Sequence, residues 1–528
     1  MTRAPADIGR GLAPARPARA IGTGERIHVI GAAGAGASAA AILAARAGAL
    51  VTACDRSTDS PYVPAVEAAG VTVLQGHDAS HVVTTEDGAT MARVERVAVT
   101  KALTSIDPDH AELASARAAG IRLEPWQQVV ADAAVSHGGR LVGVAGTHGK
   151  STSSGWLVDL LWRAGRDPSA FVGALLPAAV SGAVPSTARW GSGPEFVVEA
   201  DEYAGNFDPY RPAVAVLLNA EWDHPDVFAD EEAVFEAFEA WIRRADGGTE
   251  PPVLVVNVGD RGAACIAARL ADWNGRMVAV VLEPAADDRG TTAPPAPRTA
   301  LGPAQSITGR VMARDPAGTT LLFRGLDDGT SGETSARITL PGRHNAQDAL
   351  CVAAAAAVLG VPSGAIAEGI EAFHGVGRRL ELKGEPGGVV VLDDYAHHPT
   401  AIAETLGAVR QQYPGRRVWA VYEPLTYHRT AALLDRFADV LAEGADAVVI
   451  ADIWAGRDPD TTIASAEGLA AAVRARGMPD AAAPGTVIET AAWLASRVRP
   501  GDVVLVMGGG HSYRIAERLV EALGATAL

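Results

Sequence analysis

The stretch Leu141-Val142-Gly143-Val144-Ala145-Gly146-Thr147-His148-Gly149-Lys150-Ser151-Thr152 decides the reading of this chain. A short apolar run predicts a buried strand, a glycine turn follows, and a helix starts at the lysine. Trp156, Leu157, Leu160 and Leu161 then share one helical face, and Gly165 is placed to end the helix. A strand that passes through a glycine loop into a helix presents backbone N–H groups and a helix N-terminus to anionic oxygens. In such a loop Lys150 reaches terminal phosphates and the Ser151 hydroxyl ligates magnesium. Only Thr147 and His148 separate Gly146 from Gly149, a shorter spacing than the standard phosphate loop. Lysine is otherwise almost absent: Lys101, Lys150 and Lys383 are the only three. Lys101 and Lys383 are expected to be solvated surface residues.

Working outward, strand and helix signals alternate along nearly the whole chain. Residues 26–30, 50–53, 71–74 and 97–100 read as strands before the loop, and 108–119 as a helix. Residues 196–198, 214–219, 253–257 and 278–282 read as buried strands after it. Residues 284–305, rich in Pro, Ala, Gly and Thr, predict a loop or mobile insertion, and 306–340 a few short strands. A last α/β block has strands at 389–392, 418–422, 448–451 and 503–507. The expected architecture is therefore α/β: a Rossmann-like N-terminal domain at 26–136, a central phosphate-loop parallel sheet with an inserted smaller β region at 137–376, and a Rossmann-like C-terminal domain at 377–528. Residues 1–25 carry scattered arginines among Ala, Pro and Gly, and are expected to be a disordered tail.

Bulk properties narrow the function. With 528 residues and 48% apolar content, the chain has material for several cores. A net charge of -17 argues against a nucleic-acid or anionic-membrane partner. No apolar run approaches the roughly 18 residues of a membrane span. Cys54, Cys265 and Cys351 are far apart, with neither a disulfide framework nor a zinc spacing, which fits a cytoplasmic protein.

Two further clusters follow predicted strands: Glu199-Ala200-Asp201-Glu202-Tyr203 and Asn219-Ala220-Glu221-Trp222-Asp223-His224. Strand ends beside a phosphate loop face the phosphates, so a carboxylate and an imidazole there suit a magnesium site. In the N-terminal block, Gly31-Ala32-Ala33-Gly34-Ala35-Gly36-Ala37-Ser38 follows the first strand, and Asp55 ends the second. That pattern suits a dinucleotide or another nucleotide ligand, although the glycine order is not Gly-x-Gly-x-x-Gly.

The phosphate loop, Glu-Ala-Asp-Glu, Asn…Asp-His, Gly342-Arg343-His344-Asn345, Gly377-Arg378-Arg379-Leu380 and Asp393-Asp394-Tyr395-Ala396-His397-His398-Pro399-Thr400 occur in that order. The series resembles the Mur ligase family over nearly the whole chain after residue 25. The resemblance implies ATP and Mg2+, and three domains for a UDP-sugar, ATP and an incoming amine. It implies Ser151, Glu199 and His224 at the metal, with Lys150, His224 and Arg379 catalytic. It places Gly146, Thr147, His148, Gly149, Lys150, Ser151, Thr152, Asn345, Arg379, Asp394 and His398 at the nucleotide. It assigns Gly34, Gly36, Ser38, Asp55 and His77 to the sugar nucleotide, and Tyr427 and Arg429 to the acceptor, where Arg429 would hold a carboxylate. Asp348 stands where an asparagine is usual, and Leu425-Thr426 where His-Arg is usual. The best-matching branch adds L-alanine to UDP-N-acetylmuramate in peptidoglycan precursor synthesis; a branch that attaches a recycled tripeptide, or another amino acid, is the alternative. The chemistry implied is activation of a carboxylate as an acyl phosphate, then attack by the amine, in a cleft closed by domain motion.

Overall fold

A computed structural model describes residues 5–86, 89–283, 297–327, 332–456, 458 and 460–526. Three large sheets follow one another along the chain, with two two-stranded hairpins beside them. The first is five-stranded and parallel, ordered Thr72–Gln75, Leu50–Asp55, Arg26–Ile30, Arg96–Val99, Arg122–Pro125. The sequence order reverses at Arg26–Ile30, so the glycine turn that leaves this strand opens into the crevice at the switch point.

The second sheet has ten strands. Arg140–Ala145 lies inside it, flanked in parallel by Glu195–Ala200 and Val214–Leu217. All three run almost wholly buried, as strands covered by helices on both faces must. Their carboxyl ends therefore bring the phosphate loop and both acidic clusters to one edge. The region expected as a separate small β insertion is continuous with this sheet. Gln305–Asp315 pairs in parallel with Arg276–Leu282, then antiparallel with Gly318–Arg324 and on to Glu333–Ile338. Of the expected loop at 284–305, residues 284–296 lie outside the described residues, and the rest holds a short hairpin, Arg298–Thr299 with Gly302–Pro303.

The third sheet has six strands, ordered Glu381–Gly384, Val390–Asp394, Val503–Gly508, Val418–Glu423, Ala447–Ala451, Ala482–Gly485; only its first is antiparallel. The connection into it is strained. Arg378 and Leu380 adopt φ of +58° and +47°, a left-handed conformation that costs non-glycine residues about 1–2 kcal/mol each.

Two expectations need correction. The N-terminal segment is not a free tail over residues 5–25. Ile8 is fully buried against Tyr203 and Ala204, and its carbonyl accepts from the Thr104 hydroxyl at 2.6 Å. Arg16 forks onto Glu124 (2.8 Å) and Asp132 (2.6 Å), two buried carboxylates that Arg96 also contacts. Buried carboxylates need such partners, and composition alone does not reveal that they exist. Lys101 is not a solvated surface lysine either. Its ammonium donates to the Ala204 carbonyl of the second domain at 2.6 Å, and burial lowers its pKa to about 8. Lys383 does sit beside surface carboxylates, 3.2 Å from Glu381.

Arg16→Ala leaves Arg96 as the one guanidinium shared by Glu124 and Asp132, with Arg122 still on Glu124. We expect a loss of about 2 kcal/mol in urea unfolding, within the range for breaking one limb of a buried ion network. An unchanged midpoint would mean that Arg16 adds nothing to the stability of this ion network.

Candidate active site

The loop is built from backbone. Gly146 and Gly149 have φ of +151° and +80°, which side-chain-bearing residues rarely adopt. A Cβ at 146 would lie 3.0 Å from the Leu218 Cβ, and one at 149 would lie 2.7 Å from a carboxylate oxygen of Asp348. Asn219, at the end of the adjacent strand, clamps the loop from the side. Its Oδ1 accepts from His148 N at 2.8 Å, and its Nδ2 donates to the His148 carbonyl at 3.1 Å. Thr147 exchanges hydrogen bonds with the Glu221 backbone at 2.9 and 3.1 Å.

Lys150 opens the helix Lys150–Arg163 and folds back over the loop. Its Nζ donates to the Gly146 carbonyl (2.7 Å) and to Glu202 (2.8 Å), with Asp201 at 3.5 Å. Burial disfavours the ammonium, but Glu202, Asp201 and Glu199 outweigh it and hold the pKa above its ordinary value. Glu202 in turn is pushed up to about 7 by burial, despite the lysine beside it. Its only signal in the sequence is its place in the Glu-Ala-Asp-Glu run, and it is not among the residues expected at the site.

The next residue, Ser151, donates to Glu199 at 3.1 Å, and the other oxygen of Glu199 accepts from Gly173 N at 2.6 Å. Arg379 crosses from the third domain, and its Nη2 lies 3.2 Å from the Ser151 hydroxyl. Its guanidinium lies over the Tyr395 ring at 5.2 Å. His224 stands apart from Glu199 in its described ion contacts: its Nε2 lies 3.8 Å from both Glu202 and Asp223. It holds a φ of +55°, another strained position.

Several side chains serve the frame in this arrangement. Both oxygens of Asp394 are taken by the backbone N–H groups of Leu380 and Ala396, each at 2.8 Å, so Asp394 orders the connection that carries Arg379. Asn345 spends its amide on the Pro341 carbonyl at 2.6 Å. His398 caps the helix Pro399–Gln412 with its Nδ1, and its ring lies 4.8 Å from that of His148. Burial pushes the His398 pKa down to about 3, so the ring is neutral. The resemblance assigns Arg429 to a substrate carboxylate. Arg429 is 2% exposed, and the carboxylate it holds is Asp223, at 2.8 Å. Tyr427 is half-buried at the start of the helix Tyr427–Ala432.

Glu221, another residue not expected at the site, ties the second and third domains together. One oxygen accepts from Thr400 (2.8 Å) and Arg436 (2.7 Å), and the other contacts His148 at 3.1 Å. Burial opposes its charge, but these partners hold its pKa well below the usual carboxylate range.

In the first domain, Gly34 caps the helix Ala35–Arg46, and Asp55 accepts from Ala33 N at 3.0 Å, which fixes the turn. A Cβ at 36 would overlap Trp126 at 2.1 Å. Gly36 and Trp126 line a cleft of about 160 Å³ that runs to Phe171, Glu199, Asp201 and Tyr210 of the second domain. Ser38 turns to Thr187 instead, at 3.0 Å, and His77 turns inward to Glu112, at 3.2 Å.

Comparison with known proteins agrees with this layout. Family profiles described as the Mur ligase family catalytic domain, the Mur ligase middle domain and the Mur ligase glutamate ligase domain match residues 26–137, 144–356 and 378–510. A UDP-N-acetylmuramate–L-alanine ligase of Roseiflexus sp. is 34% identical, covering 94% of this chain and 98% of its own. Another, of Mycobacterium avium, is 35% identical, covering 94% and 95%. Among solved structures, the UDP-N-acetylmuramate-alanine ligase MurC of Thermotoga maritima aligns with a TM-score of 0.71 at 20% identity, over 95% of this chain and 99% of that one. A murein peptide ligase of Psychrobacter arcticus aligns at 0.68 and 23%, with the same coverage.

Asp348 yields a test of the loop's electrostatics. Burial pushes its pKa from 3.8 to about 7, with His344 and Arg379 lowering it and Glu404 raising it. A carboxyl whose folded pKa is raised stabilises fully below its unfolded value and loses that stability as pH rises through the folded one. The stability gain of Asp348→Asn over the native chain should therefore grow between pH 5 and pH 8.5, by on the order of 2–4 kcal/mol in urea unfolding. A pH-independent difference would refute this account of the buried carboxyl.

Proposed function

The chain belongs to the Mur ligase family, and from that premise we propose that it joins L-alanine to UDP-N-acetylmuramate at the cost of ATP, an amide-forming step of peptidoglycan precursor synthesis. The observation that carries the reading is the convergence at Ser151. Glu199 of the second domain and Arg379 of the third meet its hydroxyl, at 3.1 and 3.2 Å, beside the buried Lys150 ammonium.

The residues present fit the expected groups. The glycine-lined loop runs into the N-terminus of the helix Lys150–Arg163, which carries no side-chain cap, so its first backbone N–H groups would meet anionic oxygens. A hydroxyl and a carboxylate 3.1 Å apart are hard oxygen donors of the kind Mg2+ prefers. Ser151 and Glu199 would hold that ion, and His224 would join through Glu202. Bound MgATP supplies the phosphoryl group that turns an unreactive carboxylate into an acyl phosphate. The protein's own part is position and charge. Glu202, Asp201 and the Gly146 carbonyl hold the Lys150 ammonium at the loop, where it would exchange some of these contacts for phosphate oxygens as they gain charge. Arg379 adds a second cation, and it reaches the loop only while the third domain is docked. Glu221 fastens that docked state through Thr400, Arg436 and His148. The cleft from Gly36 to Glu199, walled by Trp126, Phe171 and Tyr210, leads from the proposed sugar-nucleotide turn to the reacting end. Its aromatic walls shield an activated acyl group from water.

L-alanine as acceptor rests on the named relatives. The commitment of Arg429 to Asp223 leaves the acceptor's carboxylate partner open, which favours testing a peptide acceptor in parallel.

Phosphate release with MgATP and UDP-N-acetylmuramate, with L-alanine, glycine, L-serine or L-Ala-γ-D-Glu-diaminopimelate added separately, tests the assignment. Release that requires both the sugar nucleotide and L-alanine, with a new amide product, is the expected result. Release with the tripeptide alone would replace L-alanine by the recycled peptide. Lys150→Ala should lower kcat/KM roughly 10²-fold, about 3 kcal/mol of lost transition-state stabilisation. A change under threefold would remove Lys150 from the proposed role.

A further inference from the structure

Away from the loop, the first domain gathers four of its histidines and a cysteine around one carboxylate. Glu112, fully buried in the helix Ala111–Ala118, lies 2.5 Å from His81 Nδ1 and 3.4 Å from Cys54 Sγ through the same oxygen, with His28 Nε2 at 3.9 Å. His28 Nε2 and Cys54 Sγ are 3.3 Å apart. One ligand atom from each of these four residues falls within 4.8 Å of the others. Tetrahedral zinc with bonds of about 2.0–2.3 Å separates its ligand atoms by roughly 3.3–3.8 Å; the two Cys54 distances fall in that range, His28 to Glu112 lies just beyond it, and His81 would draw back from its close contact with Glu112. The other Glu112 oxygen faces His77 at 3.2 Å and His110 at 3.9 Å.

We propose that His28, Cys54, His81 and Glu112 form a closed, structural zinc site in the first domain. The donor set of two imidazoles, one thiolate and one carboxylate suits Zn2+ over Mg2+ or Ca2+. Charge argues the same way. Zn2+ with one thiolate and one carboxylate sums to zero charge in this buried setting. On binding, Cys54 releases its proton to solvent and the sulfur keeps the electron pair for the metal. His28 is already oriented to bind. Its Nδ1 pairs with Thr52 Oγ1 at 2.8 Å, which turns Nε2 towards Cys54, as outer partners of metal-bound histidines do.

Such an ion would staple the strands Arg26–Ile30 and Leu50–Asp55 to the segment Ala79–His81 and the helix Ala111–Ala118. The Cys54 carbonyl also accepts from Gly31 N (2.9 Å) and Ala32 N (3.1 Å), so the staple sits directly beneath the glycine turn of the proposed nucleotide crevice. The four ligands come from positions 28, 54, 81 and 112, a spread that matches no zinc spacing in sequence.

The test uses the full chain, stripped with chelator and reloaded with Zn2+ or Co2+. We expect one zinc per chain after gel filtration, a higher Tm on zinc addition, and a Co2+ form with four-coordinate visible bands and a sulfur-to-cobalt charge-transfer band. Cys54→Ser should lose the charge-transfer band and His81→Ala the stoichiometric zinc, with circular dichroism reporting the fold of each. The wild-type cobalt spectrum decides the matter even where a variant fails to fold. Absence of the charge-transfer band from the wild-type protein, or full zinc retention by both folded variants, would overturn the site.

Discussion

A single ammonium group, that of Lys150, sets the terms for the centre of this molecule. Taking it out of water is tolerable only because Glu202 and two loop carbonyls receive its protons, with Asp201 and Glu199 adding attraction. Those carboxylates stand at the end of one neighbouring strand, and Asn219 with Glu221 at the end of the other. The parallel register of three buried strands therefore does the electrostatic work. It places a cation, its counter-charges and the loop that they organise at one edge. The same low dielectric that makes the lysine costly to bury strengthens its pull on incoming charge.

The third domain is engaged with this centre through few but directed contacts. Arg379 reaches Ser151, while Glu221 gathers Thr400 and Arg436 beside His148. Arg429 and Asp223 form a second, fully buried ion pair across the same boundary. The connection between the domains carries left-handed backbone at Arg378 and Leu380, and Asp394 holds the latter in place with its carboxylate. Strain stored at a domain junction and balanced by polar contacts suits a joint with two states, because releasing the contacts also releases the strain.

The first domain answers a different physical demand. It buries Glu112, Glu124 and Asp132, and each is met by concentrated positive or titratable groups. Arg16 and Arg96 serve Glu124 and Asp132; a ring of imidazoles and a thiol serves Glu112. The N-terminal arm belongs to this scheme, since Arg16 completes the charge balance and Ile8 seals the contact with the second domain at Tyr203.

How much of this is legible in the chain depends on the range of the interaction. Glycine loop, following helix, three α/β blocks and the order of the acidic clusters are written locally, because hydrophobic period and turn chemistry act over a few residues. So Lys150, Ser151 and Glu199 stand out in the sequence, and the structure sets them side by side. Long strands such as Ser169–Leu176 do not, since a short apolar run in alanine- and glycine-rich sequence reads as ambiguous. What the sequence could not express was which distant charges meet. Glu221 with Arg436, Arg429 with Asp223, Lys101 with the Ala204 carbonyl and His28 with Glu112 join residues tens to hundreds of positions apart. Chain chemistry determined that a glycine loop with its lysine and serine, residues 146–152, would leave a buried strand of an α/β sheet and open a helix. Tertiary structure alone decided which buried ions are paired, because the energy of a buried charge is set by its nearest neighbours in space and not along the chain.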